Sequence, residues 1–433
     1  MKANICILFF LLHSLSFGQE SFDYREFTKK MCSPELHGRG YVNQGDLIAA
    51  NFICSQMKEL GIESLPSGYF QAFKHNVNTF PDTCSVQINN QILQPGLDYV
   101  INPISNGTCR YPKCNGIKSY DEKNIEIMDM KHLFEEEWDA PLWRNYDPKK
   151  LYVIDNNVTV DSLSIYVHQV AQKVSKYNDV IELVNNKFTW SVQAKANDRL
   201  YVQMKKNIFD SLYVDEKSIK IHIHNNHLID YESNNVIGYI PSKRKSKGTI
   251  MITAHYDHLG RMGTETYFPG ANDNASGVAM LLAIGETIKL KPLKKYNTIL
   301  VAFAGEEAGL VGSKYMSENP LFEISKIRFL LNLDIMGSGE HGITAVNGRV
   351  FKKEFKLLQK MNRKTQAVPV VKARGKAANS DHYFFTEKGV RSFFVYTMGN
   401  NKNYHDIFDT FENLNFNSFN GLAKLFDSLL RRL

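Results

Sequence analysis

Several broad classes of protein are excluded by what this chain lacks. Past its first residues no stretch is long and apolar enough to cross a bilayer, which takes about 20 such residues. There is no internal repeat and no low-complexity tract, so neither a solenoid nor a disordered scaffold is in prospect. No charge of one sign dominates: 52 basic and 45 acidic residues leave a net charge of +7 on 433 residues. The small lysine clusters at 243–247 and 289–295 read as solvated turns, and no nucleic-acid surface is expected. Cysteine is scarce. Of six residues, Cys6 falls in the apolar N-terminal segment, leaving Cys32, Cys54, Cys84, Cys109 and Cys114, an odd number. Cys109 and Cys114 are spaced to close a small disulfide loop in an oxidising compartment. A zinc knuckle would need a second pair nearby, and there is none.

The first 18 residues have the form of a signal peptide. Lys2 supplies the charge, residues 5–12 the short apolar core, and Ser16-Phe17-Gly18 the small residues before a cut at Gln19. The mature chain is therefore expected to be exported, to a periplasm or the extracellular space. With 43% hydrophobic and 22% charged residues it has ordinary globular composition, and 27 Phe and 21 Tyr provide for a sizeable core. Residues 44–60 carry the apolar spacing of one helix, stopped by Gly61. Strands are expected over 69–88. From about 90 to 232 the apolar runs shorten and Asn and Lys become frequent, which marks an inserted α+β domain with short helices at 167–174 and 179–184. Its His222, His224 and His227 alternate as a metal-binding strand would, though such a pattern more often marks the wet face of an ordinary strand.

From 249 onward strands and helices alternate. Strands at 249–254, 298–303, 327–333 and 391–396 are interleaved with helices at 276–290, 308–317 and 351–362, and a helix at 416–432 closes the chain. This pattern predicts an α/β fold with a mostly parallel central sheet and helices on both faces. The chemistry-bearing residues fall just past the strands, where open α/β sheets form their sites. His255 and Asp257 follow the first strand, and Asp273 sits between two asparagines before the next helix. Glu306 and Glu307 follow the second strand, Asp334 ends the third, and His405 comes after the fourth. Imidazole and carboxylate suit zinc and its neighbours. Adjacent glutamates can divide two roles between them, one ligating a metal and the other taking a proton from water. Each residue alone has a plainer reading: two acids at a helix N-terminus for Glu306 and Glu307, an Asx turn for Asp273, a salt-bridged or capping acid for Asp334, an exposed histidine for His405.

In order, the segments His255-Tyr256-Asp257-His258-Leu259-Gly260, Asn272-Asp273-Asn274-Ala275-Ser276-Gly277, Gly305-Glu306-Glu307, Asn332-Leu333-Asp334 and His405-Asp406 resemble the di-zinc aminopeptidase family that includes bacterial leucyl aminopeptidase. Glutamate carboxypeptidase, glutaminyl cyclase and the transferrin receptor are its relatives. The resemblance covers roughly 234–415. It implies a zinc-peptidase α/β/α sandwich and this division of the chain: signal peptide 1–18, N-terminal part of the peptidase domain 19–89, insertion 90–232 where relatives carry a protease-associated domain, and peptidase domain 233–433. It further implies two zinc ions per chain, one held by His255 and Asp334, the other by Glu307 and His405, with Asp273 bridging. Glu306 would be the general base on the bridging water, Asp257 would orient His255 through its ring N–H, and Asp381 would be a supporting contact. The implied substrates are peptides with a free N-terminus. The alternatives are a glutaminyl cyclase, a dipeptide carboxypeptidase with Arg374 for a substrate carboxylate, or a non-catalytic receptor-like module.

Overall fold

The computed structural model describes residues 22–108, 116–136, 144–214 and 217–433. The expected leader and the Cys109–Cys114 pair lie outside these residues. Cys32, Cys54 and Cys84 are free thiols.

Four strands buried over nearly their whole length form the centre of the molecule: Thr249–His255, Asn297–Phe303, Ile327–Leu333 and Ser392–Met398. They run parallel, with Thr249–His255 between Asn297–Phe303 and Ile327–Leu333, and Ser392–Met398 beyond the latter. Their near-continuous apolar sequences suit strands covered on both faces. Alternate residues serve opposite faces. Ile250, Ile252 and Ala254 pack with Ile53, Val278, Leu358 and Leu422 from the helices Gly45–Glu59, Ser276–Leu290, Lys352–Thr365 and Phe419–Leu430. Met251 packs on the other side with Met316 and Phe385, from Val311–Glu318 and His382–Glu387. The expected sheet with helices on both faces is present.

Antiparallel strands finish both edges. Asn226–Ile240 pairs with Asn297–Phe303 and carries Phe70–Thr79 outside it. Gly342–Val346 pairs antiparallel with Ser392–Met398 and carries Val371–Ala373, completing eight strands. The last two strands and the helix His382–Glu387 leave no mark in the sequence pattern, because segments of three to six residues are too short to show a period. The helix expected from 308 begins at Val311.

The insertion contains two sheets. One has four strands, Gln91–Ile92, Cys84–Ile88, Ile219–Ile223 and Lys118–Tyr120 in that spatial order. The other has five: Tyr99–Ile101, Tyr201–Lys205, Asp179–Val184, Leu151–Asp155 and Ile125–Asp129, the last four parallel. Segment 179–184 is thus a central strand rather than a helix, its apolar run covered on both faces. Sheet membership also moves the boundaries. Cys84–Ile88 belongs to the insertion and residues 226–232 to the central sheet, so the inserted portion runs from about 80 to 225 rather than from 90 to 232. Its core is continuous with the main domain: Leu259, Met262 and Phe268 share one apolar cluster with Phe80, Trp190 and Val202.

Asp46, in the first turn of Gly45–Glu59, ties that helix to the sheet. It accepts hydrogen bonds from Tyr231 Oη (2.6 Å) and Ser233 Oγ (2.8 Å). Burial pushes its carboxyl up to about 6, against these two bonds. In the unfolded chain the group ionises near 4, so between about 4 and 6 the native state binds the extra proton and stability falls as pH rises. Above about 6 the full cost is present, on the order of 3 kcal/mol for a shift of two pKa units. Chemical denaturation of Asp46→Asn and the parent between pH 4 and 7 should therefore show the parent losing stability relative to the variant as pH rises. A constant difference would contradict this reading.

Candidate metal centre

His255 is the last residue of its strand, Asp334 follows the end of Ile327–Leu333 directly, and Glu306 and Glu307 lie three and four residues past Asn297–Phe303. Parallel pairing in register brings these carboxyl ends side by side. Asp273 and His405 reach the same place from loops. His255, Asp273 and Asp334 each present a donor atom within 4.8 Å of the others, and so do His258, Asp273 and Glu307.

Asp273 is the common member. Its Oδ1 lies 3.3 Å from His255 Nε2 and its Oδ2 lies 3.1 Å from His405 Nε2. Asp334 Oδ1 is 3.4 Å from His255 Nε2, and Glu307 Oε1 is 3.3 Å from His405 Nε2. The other ring nitrogens decide what these contacts are. His255 Nδ1 lies 3.2 Å from the Asp257 carbonyl, and His405 Nδ1 lies 2.9 Å from the Trp190 carbonyl. A carbonyl only accepts, so both Nδ1 atoms carry hydrogen. In the neutral rings each Nε2 therefore aims a lone pair at two carboxylate oxygens. That arrangement repels unless a cation or a proton lies between, and a metal ion fits it. Without a metal a proton must serve: the Glu307 and Asp273 carboxylates outweigh burial and hold the His405 imidazole up to about 11. Glu307 is correspondingly held down to about 2, burial being outweighed chiefly by His405.

The plainer readings of the single residues fail on this geometry. Asn274, not Asp273, makes the turn at the helix start, its Oδ1 accepting from Gly277 N at 3.0 Å. Glu306 and Glu307 precede the helix at Val311 by several residues, and the Glu307 side chain is almost fully buried. Among the described residues, His255 is the one cationic side chain paired with Asp334, and Ser380 Oγ donates to its other oxygen at 3.3 Å.

Asp257 meets the His255 ring N–H through its backbone. Its carboxylate stands 3.8 Å from His255 Nδ1, and its backbone carbonyl takes the ring hydrogen instead. The carboxylate accepts from the backbone N–H of Glu306 (3.1 Å) and Glu307 (3.2 Å) and from Tyr41 Oη (3.3 Å), so it fixes the glutamate turn. Glu306 lines a cavity of about 210 Å3 with His255, Asp273, Asp334, His405, Tyr404 and Arg374. Burial, joined by Glu307, Asp381 and Asp334, raises its carboxyl well above the ordinary value, with His255 opposing. Asp381 is fully buried and joins neither donor group; burial pushes it up to about 7. His222, His224 and His227 join neither group.

Four residues gain their roles only from the fold. His258, fully buried, donates from Nδ1 to Glu307 Oε1 at 3.0 Å. Asp409 accepts from Asn272 N and Asp273 N, both at 2.9 Å, and so sets the backbone of Asp273. Trp190 comes from the insertion. Arg39, which stands between Gly38 and Gly40 in the sequence, is completely buried. Its five N–H groups point at five carbonyls: Tyr256 (2.8 Å), Met31 (2.8 Å), Pro269 (2.6 Å), Gly270 (2.7 Å) and Asp273 (3.4 Å). Its neighbour Gly40 lies against Gly260 so closely that a Cβ would fall 2.4 Å from the Gly260 Cα. The signal available in the sequence is an arginine between glycines, a cue to close backbone approach. Arg39→Met should leave these carbonyls without donors and cost about 3–5 kcal/mol of unfolding free energy, measurable by denaturant titration. A loss under about 1 kcal/mol would mean that the loops do not depend on it.

Residues 235–429 match the family described as Peptidase family M28. The "Probable leucine aminopeptidase" of Arthroderma otae is 30% identical over 207 residues, covering 44% of this chain and 54% of that protein. The chain spans about half the length of the first such curated relatives it matches. Among solved structures, a zinc aminopeptidase from Bacillus subtilis superposes with a TM-score of 0.66 at 16% identity over 94% of each chain. The aminopeptidase from Aneurinibacillus sp. strain AM-1 superposes at 0.60 with 18% identity, over 95% of this chain and 94% of that one. At such identities the structural likeness speaks for the fold. Residues 235–429 of the chain are thus similar to Peptidase family M28.

Proposed function

We propose that the chain is an exported zinc-dependent aminopeptidase that holds two zinc ions and removes N-terminal residues from peptides. One observation carries the reading: two imidazoles, each with its Nδ1 hydrogen committed to a carbonyl, aim their Nε2 atoms at opposite oxygens of Asp273. His255 and Asp334 would hold one ion, Glu307 and His405 the other, with Asp273 common to both. Zinc bound there would supply Lewis acidity and lower the pKa of water. His258 has no ligand role in this reading: with its hydrogen on the nitrogen facing Glu307 it supports that carboxylate. Burial lowers its pKa, so it stays neutral.

The protein's own groups do the rest. Glu306 faces the cavity and takes the proton of the attacking water, then returns it to the leaving amine. To act as a base it must be ionised, and its raised carboxyl loses its proton when cationic charge enters the site. The Asp257 carboxylate holds the backbone of Glu306 and Glu307, so base and ligand keep their separation. Phe394, Tyr396 and Tyr404 give the cavity apolar walls against the peptide, and Arg374 lies at its lining. The named relatives support cleavage at a free N-terminus. Export rests on the charged and apolar character of residues 2–12, and no helix among the described residues is long and apolar enough to cross a membrane.

Two measurements test the reading. The purified mature chain should contain about two zinc ions, cleave aminoacyl-arylamides, and lose that activity to a chelator. One zinc with no arylamide cleavage would turn the assignment to a glutaminyl cyclase. Glu306→Gln should keep the metal and lose on the order of 10²–10⁴-fold in kcat. Full turnover in that variant would remove Glu306 from the mechanism.

A further inference from the structure

The two halves of the centre are supported differently. His255 is oriented by a carbonyl in its own loop, two residues along. His405 is oriented from outside the central domain. Trp190, in the insertion, accepts from His405 Nδ1 at 2.9 Å, and its own N–H donates to the His405 carbonyl at 2.9 Å. Both the ring and the backbone of His405 are therefore held by one residue. The backbone there needs holding, since His405 sits in the left-handed region at φ +53°.

Trp190 is itself firmly placed. Its indole N–H donates to the Ile101 carbonyl at 2.6 Å, and its ring stacks on Phe268 at 4.5 Å between centroids. Three residues earlier, Lys187 reaches across to the same loop. Its ammonium lies 2.9 Å from Asp406 Oδ2, 2.7 Å from the Lys402 carbonyl and 3.5 Å from the Tyr404 carbonyl. Asp406 is buried, and it turns its other oxygen to Phe408 N at 2.9 Å. One ammonium thus ties together the residues on both sides of His405.

We infer that segment 187–190 of the insertion sets the affinity of one metal position, the one held by Glu307 and His405, with Lys187 and Trp190 as its positioning residues. The inference rests on the zinc reading above. It gives the insertion a defined role, because the second half of the centre is complete only when the insertion is docked. The first half, His255 with Asp334, is complete within the central domain. The two positions therefore fill unequally, and a change at Lys187 acts on one of them alone.

The test is a zinc titration of the full mature chain against a competing chelator, comparing the parent with Lys187→Met and Lys187→Arg. The Lys187 side chain is about half exposed, and methionine keeps most of its stem, so the fold is expected to survive. Thermal unfolding of the metal-free proteins checks this. In Lys187→Met the weaker binding step should fall about 10–100-fold, the size typical of lost support behind a ligand, while the tighter step stays put. Lys187→Arg should recover part of the loss, and excess zinc should restore kcat with KM little changed. Equal weakening of both steps, or no change in either, would overturn the inference while leaving the parent a two-zinc protein. A parent that binds no zinc would overturn the zinc reading and this inference with it. If Lys187→Met unfolds early, Asp406→Asn serves in its place, removing the same ion pair from the other side, with the same two outcomes.

Discussion

Six carboxylates, those of Asp257, Asp273, Glu306, Glu307, Asp334 and Asp381, are gathered in one buried region around His255, His258 and His405. Like charges this close in a low-dielectric interior cannot all stay ionised without compensation. The protein meets this demand in several ways. Histidines take protons, backbone N–H groups are turned toward Asp257 and Asp409, and some carboxyls are raised until they hold their own protons. Metal ions would complete the compensation. The surrounding architecture serves to hold this arrangement against its own repulsion.

The parallel sheet supplies the rigid part. Three adjacent strands deliver His255, the Glu306–Glu307 turn and Asp334 at neighbouring carboxyl ends. The loops that deliver Asp273 and His405 have no ladder to hold them, and they are held by other means. Asn272, Asn274 and Ser276 bond to the backbone of 335–337, joining the Asp273 loop to the Asp334 loop. Arg39 gathers carbonyls from the chain before and after the ligand loop, its charge entirely buried. His405 relies on the insertion, whose apolar core runs on into Leu259, Met262 and Phe268. The insertion is part of the frame of the site and not an appended module.

Three of the proposed metal ligands are legible because they follow a buried strand, and a strongly apolar run is hard to mistake for anything but core. His255, Glu307 and Asp334 can be placed at strand ends by that rule, and Asp273 and His405 through the resemblance their segments carry. Segment 179–184 shows the rule's weakness, since four apolar residues in six without flanking cues suit a short helix as well as a central strand. Arg39 is invisible for a different reason. An arginine flanked by glycines looks like a surface turn until the fold closes five carbonyls around it.

What the sequence by itself determined was the chemistry and its order: which residues carry imidazole or carboxylate, and that they lie past successive strands of an α/β sheet. These are local matters, set by periodicity and residue type. What only the tertiary structure decided was which nitrogen of each histidine faces the centre, and which neighbour holds it there. Asp257 acts through its carbonyl on His255 and through its carboxylate on the glutamate turn, and Trp190 reaches His405 from 215 residues away. Such roles arise from hydrogen-bond partners that are distant in the chain, and no local pattern encodes a partner that folding alone brings near.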